Sequence, residues 1–120
     1  MGNFNEFNAE EVRRGDVFWC EFDMFHGCEQ FGQRPVIVVS NDKCNDVSPI
    51  ITVVALTSKK KKKMPTHAIV KTPRPSVALC EQIYTVDRSR LKCLMFHLTE
   101  SEMDMVDYCI KVQLGISDKY

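Results

Sequence analysis

The sequence lacks most of what would tie it to a metal, a membrane or an oxidising compartment. None of its six cysteines lies in a C-x-x-C pair, and its three histidines, His26, His67 and His97, are far apart. Zinc sites draw their ligands from such clusters, so no metal centre is expected, nor any other cofactor. No run approaches the roughly 18 apolar residues of a membrane-spanning helix, so no membrane partner is expected. The first residues, Met1-Gly2-Asn3-Phe4-Asn5-Glu6, carry neither the basic region nor the apolar core of an export signal. Glu6 also stands where a myristoylation motif needs a hydroxyl. The cysteines are therefore read as reduced thiols of a cytoplasmic protein, mostly small core fillers. Cys28 is set apart because it falls inside a candidate site. There is no internal repeat.

Charge of one sign is not in excess either: 16 basic and 16 acidic side chains give a net charge of zero. That excludes a uniformly basic nucleic-acid binder, but not a local one. Residues 1–30 hold 2 basic and 7 acidic side chains, residues 31–90 hold 11 and 4, and residues 91–120 hold 3 and 5. The middle of the chain can thus present an anion-binding face. With 120 residues and 44% hydrophobic content the chain forms one domain with a modest core, and an oligomer would be unsurprising. Residues 1–11 read as a polar tail and 12–120 as the single domain.

Patterning gives mainly β structure. Val17–Phe22 follows the turn signal Arg14-Gly15-Asp16 and has the aromatic content of a strand. A loop with Gly27 and Gly32 leads to a second strand, Pro35–Ser40, whose four consecutive aliphatics imply burial on both faces. Asn41-Asp42 and Asn45–Pro49 read as a turn, and 50–56 as a third buried strand. The run Lys59–Lys63 is the only low-complexity segment and taken blind is a solvated loop. Thr66–Val70 reads as a fourth strand, with short pieces at Val77–Cys80 and Gln82–Val86. Short strands without intervening helices suggest a small antiparallel barrel or a strongly coiled sheet.

The period then changes. Thr99-Glu100-Ser101-Glu102 is a capping box, and Leu98 and Met103 stand where a hydrophobic staple would. Met103, Val106, Ile110 and Leu114 make an apolar stripe at helical spacing, and Gly115 is placed to end the helix.

Two runs join a hydrophobic strand to groups that can grip an anion. Cys28-Glu29-Gln30-Phe31-Gly32-Gln33-Arg34-Pro35 ends in a cation of fixed charge, followed by a proline that stiffens the start of Val36–Val39. Ala55-Leu56-Thr57-Ser58-Lys59 places two hydroxyls and a cation at the exit of the third strand. If those strands are neighbours, Arg34 and Thr57 converge at one end of a sheet, a setting suited to phosphate chemistry.

An ordered series of motifs surrounds these runs. It comprises Arg13-Arg14-Gly15-Asp16-Val17, Cys28-Glu29-Gln30 through Arg34-Pro35-Val36, Ser40-Asn41-Asp42 with Ser48-Pro49, and Ala55-Leu56-Thr57. Pro65-Thr66-His67, Glu81-Gln82-Ile83 with Thr85-Val86-Asp87, Arg90-Leu91 and the closing helix complete it. From about Arg13 to Ile116 the chain resembles the MazF/PemK family of toxins from bacterial toxin–antitoxin pairs. The resemblance implies an SH3-like small barrel with a C-terminal helix, acting as a homodimer. It implies a metal-independent endoribonuclease that cuts single-stranded RNA at a short sequence. It also implies a partner antitoxin whose disordered segment covers the RNA groove. The family's catalytic arginine and threonine fall on Arg34 and Thr57, and the acidic residue of its loop motif falls on Glu29. The chain departs from the pattern at Cys28, where a small hydroxyl residue is usual, and in the density of its lysine run.

RNA supplies its own nucleophile, the 2′-OH beside the scissile phosphate, so the expected products are a 2′,3′-cyclic phosphate and a 5′-OH end. The enzyme must align the groups, stabilise charge on the phosphoryl oxygens and assist two proton transfers. The planar fork of Arg34 suits phosphate oxygens, and Thr57 can donate to the same atoms, with Ser58 assisting. Arg34 is a poor proton acceptor. Glu29 is the better base by chemistry, and could equally read a nucleobase or orient Arg34. For RNA contacts the candidates are Gln30, Phe31, Ser58, Lys59, Lys60, Lys61, His67 and Gln82. Trp19 and Phe31 can stack a base, Trp19 fitting the core better and Phe31 the loop. Two alternatives use the same architecture: a toxin that docks on a topoisomerase without catalysis, and a degenerate relative that only binds RNA.

Overall fold

Arg14-Gly15-Asp16 launches the first strand through a turn that only glycine makes cheaply. Gly15 sits at φ +96°, and a Cβ there would come within 3.2 Å of the His97 imidazole. Asp16 secures the turn, its backbone N–H bonding to the Arg13 carbonyl at 2.9 Å and its carboxylate accepting the Arg13 N–H at 2.9 Å. A computed structural model describes residues 11–22, 32–59, 61–71 and 73–116. The tail expected at 1–11 therefore lies almost wholly outside the described residues.

The elements are β1 (Asp16–Phe22), β2 (Gly32–Val38), α1 (Asp42–Val47), β3 (Ile50–Thr57), β4 (His67–Val70), β5 (Ser76–Asp87), β6 (Leu91–His97) and α2 (Glu100–Gln113). A single 3₁₀ turn, Arg88–Arg90, joins β5 to β6. The six strands make one sheet in the order β4-β5-β3-β2-β1-β6. Among the described residues, every neighbouring pair in it is antiparallel. The fold is mainly β with a C-terminal helix, as the patterning and the family resemblance imply.

Two expectations need correction, and a third difference is a strand that no signal in the sequence marks. The stretch after β2 is not a plain turn: Asn41 caps a short helix, its side chain accepting the Cys44 N–H at 2.9 Å. Inside that helix Asn45 is buried and donates to the Ser40 carbonyl at 2.9 Å, while the Arg88 guanidinium binds the Asn45 and Ser48 carbonyls. Second, β5 is one strand of 12 residues rather than two pieces. Its pairing with β3 jumps from Val54↔Ile83 to Ala55↔Leu79, so Cys80, Glu81 and Gln82 bulge out of the ladder. Third, β6 carries no period-2 signal, because Lys92 through Met95 are all exposed on a sheet edge.

The helix begins where its sequence signals it. Thr99 accepts the Glu102 N–H at 3.1 Å, and the Glu102 carboxylate accepts the Thr99 N–H at 3.0 Å. Leu98 and Met103 are both buried in one cluster, as a staple requires. Gly115 terminates the helix at φ +76°. The stripe is shifted, however: Met103, Val106, Cys109 and Val112 are buried, Ile110 is half-buried and Leu114 is exposed. Arg14 clamps the helix to the start of β1 through a two-pronged pair with Asp107 and a 3.0 Å bond to the Val39 carbonyl.

The sheet buries both faces. On one, Val17, Ile37 and Val54 lie in register and pack under Met103, Val106 and Cys109 of α2. On the other, Phe18, Cys20, Val36, Val38, Ile51, Val53 and Leu91 form a second cluster as the sheet coils over itself. Each fully buried Val, Ile or Phe contributes roughly 1.5–3 kcal/mol from desolvation. The helix covers only part of its face, and the site lies where that cover stops.

Candidate functional site

One position beyond the helix-covered rows, the same sheet face carries Trp19 opposite Pro35. Leu56 follows next across the β2–β3 ladder when the register Val36↔Ala55 is continued. These three form the floor of a cleft of about 460 Å³. Gln33, Arg34, Thr57, Ser58, Lys59, Arg74, Ser76, Met95 and Phe96 complete most of its wall. No residue of α2 lines it. Arg34 on β2 and Thr57 at the end of the adjacent strand β3 both line this cleft. The sequence expectation that these two meet at one end of a sheet is thus met by adjacent antiparallel strands, with both side chains half-buried in one cleft.

The electrostatics of the cleft are one-signed. Arg34, Lys59 and Arg74 line it, and among the described residues no carboxylate does. Neither Arg34 nor Arg74 has an acidic partner among the described residues. Three cations with no acidic neighbour in the lining among the described residues focus a positive potential on an anion that enters. Thr57 is also poised: its Oγ1 accepts the Lys59 N–H at 3.1 Å, which leaves its own hydrogen free to donate.

The other sequence candidates divide. Ser58 and Lys59 are in the cleft wall, and Lys61 is exposed in the segment that follows. Glu29, Gln30, Phe31 and Lys60, together with Cys28, lie outside the described residues. His67 is not in this cleft. Its side chain is 5% exposed, and its Nε2 lies 3.1 Å from Oε2 of Glu81, whose other oxygen accepts the Thr66 hydroxyl at 2.9 Å. With Nε2 donating to the carboxylate, Nδ1 is buried with no partner among the described residues. The bulge in β5 is what brings Glu81 to this pair, and the geometry reads as structural. Gln82 likewise does not line the cleft; its Oε1 accepts the Tyr84 hydroxyl at 3.2 Å.

Sequence reasoning missed Arg74, Gln33, Met95 and Phe96, and it favoured the core for Trp19. Trp19 is in fact 37% exposed, because the helix does not extend over its end of the sheet. Met95 and Phe96 depended on recognising β6. Arg74 sits in the bend before β5, where no periodicity marks it.

The thiols are partly as expected. Cys20, Cys80 and Cys109 are buried, while Cys44 and Cys93 are exposed. Burial pushes the Cys20 and Cys80 thiols up to about 12. Burial raises Cys109 as well, and its hydrogen bond with Cys80 opposes that rise. These three are inert core fillers.

The fold is shared with solved toxins. The chain is 22% identical to a mycobacterial endoribonuclease in complex with its cognate antitoxin, over 89% of this chain and 98% of that one, with a TM-score of 0.77. It is 24% identical to MazF from Deinococcus radiodurans, over 87% and 96%, with a TM-score of 0.75. It is 17% identical to the Mycobacterium tuberculosis toxin MazF-mt6, over 83% and 96%, with a TM-score of 0.70. Residues 13–114 match the family described as PemK-like, MazF-like toxin of type II toxin–antitoxin system. That match spans the turn at Gly15, both strands of the Arg34–Thr57 cleft and the whole of α2, and the chain belongs to this family of toxins.

Proposed function

We propose that this toxin is a sequence-specific, metal-independent endoribonuclease acting on single-stranded RNA in the cytoplasm. The observation that carries the reading is the Arg34–Thr57 pair, set across adjacent strands in a cleft lined by three cations and no described acid. Arg34 holds two phosphoryl oxygens of the scissile phosphate with charge-assisted bonds. Thr57 donates its free hydroxyl hydrogen to one of them, so that charge developing in the transition state meets donors already in place. The 2′-OH of the preceding ribose attacks phosphorus, the P–O5′ bond breaks, the departing 5′-oxygen takes a proton from water to become the 5′-OH, and a 2′,3′-cyclic phosphate results. Glu29 is assigned as the base that takes the 2′-OH proton, on the family pattern and because a carboxylate accepts protons where a guanidinium only donates hydrogen bonds.

Endoribonuclease names on structures of the same fold support this reading, as do complexes in which such toxins bind antitoxins. By extension a cognate antitoxin covers this cleft, and the active species is a homodimer. Exposed Leu94 on the edge strand β6 offers apolar surface for a second copy.

The test is cleavage of a long single-stranded RNA by purified protein in EDTA, compared with Arg34→Ala. Cutting at a short recurring sequence, lost in the variant while circular dichroism is unchanged, is the expected result. Wild-type-like cutting by Arg34→Ala would sink the assignment. Growth arrest without RNA cleavage would favour a toxin that acts by docking on a protein target.

A further inference from the structure

The cleft holds more binding chemistry than the Arg34–Thr57 pair uses. Arg74 reaches it from the bend before β5, and has no acidic partner among the described residues. Beside the cleft's cations lies Trp19, a half-exposed indole flanked in the lining by Met95 and Phe96. An indole left open to water beside a cation contributes nothing to the stability of the fold. A nucleotide has the complementary parts, an anion joined to a flat apolar ring. Stacking on an aromatic face recognises an unpaired base of any identity, and a guanidinium recognises the phosphate that follows it. A duplex offers no free base face, so this chemistry selects single strands.

We propose that Trp19 and Arg74 form a nucleotide subsite adjoining the Arg34–Thr57 pair, Trp19 stacking one unpaired base and Arg74 holding a phosphate that is not cut. The subsite deepens the endoribonuclease reading and names two residues that fix where the strand lies relative to the scissile bond. Arg34 and Thr57 then act on one phosphate while Arg74 holds its neighbour. The floor residues Pro35 and Leu56 keep the strand against the sheet.

The experiment exploits a compositional accident, that Trp19 is the only tryptophan of the chain. The probe is a short single-stranded RNA of random sequence with 2′-O-methyl groups throughout, which lacks the nucleophile and stays intact. Titration into wild-type protein should quench the tryptophan emission in step with binding followed by anisotropy of a dye on the probe. Arg74→Gln should weaken binding on the order of tenfold and lower the slope of log affinity against log salt by about 0.7, the value for one phosphate contact on a single strand. Trp19→Leu should weaken binding on the order of tenfold, and Trp19→Phe less. Lys43→Gln, the same charge change on exposed α1 outside the cleft, is the control. The subsite is overturned if saturating probe leaves the emission unchanged, or if Arg74→Gln binds like Lys43→Gln. Its failure is separable from that of the enzymatic reading. Wild-type cleavage with no role for Arg74 removes the subsite alone. Quenching and an Arg74 effect in a protein that cuts no RNA leave the subsite standing and remove the catalysis.

Discussion

Replacing Thr57 with valine isolates one hydroxyl with little else disturbed. Valine keeps the β-branched shape that suits the last position of β3, and the pairing of residue 57 with Val77 uses only backbone groups. Among the described residues the hydroxyl's bond is with the Lys59 N–H at 3.1 Å, and that amide is exposed enough to turn to water. Stability should therefore change by no more than about 0.5 kcal/mol, the ordinary scale for a surface substitution. Catalysis should change far more. Losing one preorganised donor to a developing oxyanion costs on the order of 10²–10³ in rate, about 2.7–4 kcal/mol. The assay is single-turnover cleavage of a fluorogenic RNA at saturating enzyme, with urea denaturation alongside. Thr57→Ser, which keeps the donor, should retain most of the activity. Cleavage by Thr57→Val within a few-fold of wild type would refute the donor role. Equal loss in the serine variant would show that the methyl group, not the hydroxyl, matters.

Four further outcomes follow. Gly15→Ala should destabilise the fold by at least about 1–2 kcal/mol from its positive φ, with contacts to His97 at 3.2 Å and Met103 at 3.4 Å adding to that; a urea midpoint equal to wild type would contradict it. Cys44 and Cys93 should react with iodoacetamide in the native state, while Cys20 and Cys80, with thiols near 12 and a thiolate fraction of about 10⁻⁵ at neutral pH, should react only on unfolding, as peptide mapping would show. Their folded values lie above the ordinary 9.0, so their contribution to stability is complete below about 9 and is lost as pH rises towards 12; a Cys20→Ala, Cys80→Ala double variant should lose less stability than wild type over that window. Changing Lys59 and Lys61–Lys63 to glutamine should flatten the salt dependence of RNA binding, and an unchanged slope would return the run to a solvated loop.

What the sequence revealed depended on whether a residue's role was written locally. The capping box at Thr99 and Glu102 is a contact between residues three apart, so α2 could be read directly, including the staple of Leu98 and Met103. Its buried stripe was less legible, because Cys109 and Val112 win over Ile110 and Leu114 only through where the helix axis lies on the sheet. Strands β1, β2 and β3 stood out as apolar runs, and Arg34 and Thr57 at their ends were found with them. Strand β6 did not, since an edge strand with Lys92–Met95 exposed has no alternation to detect. The polar helix α1 looked like a turn until Asn45 found partners in Ser40 and Arg88, residues brought to it by the tertiary fold. Trp19 and Arg74 belong to the same class. Nothing near Trp19 in sequence tells that α2 stops short of it, and Arg74 joins the cleft only because β5 pairs with Thr57.

The ends of the cleaved RNA report directly on 2′-OH attack at a phosphate held by Arg34 and Thr57. Wild-type protein acting in EDTA should leave 5′-OH ends that a polynucleotide kinase labels without prior phosphatase treatment, paired with 2′,3′-cyclic phosphates. A single deoxynucleotide placed 5′ to the scissile bond should stop cleavage there. Fragments bearing 5′-phosphates, or undiminished cutting at the deoxy position, would show that water is the nucleophile and would contradict the account.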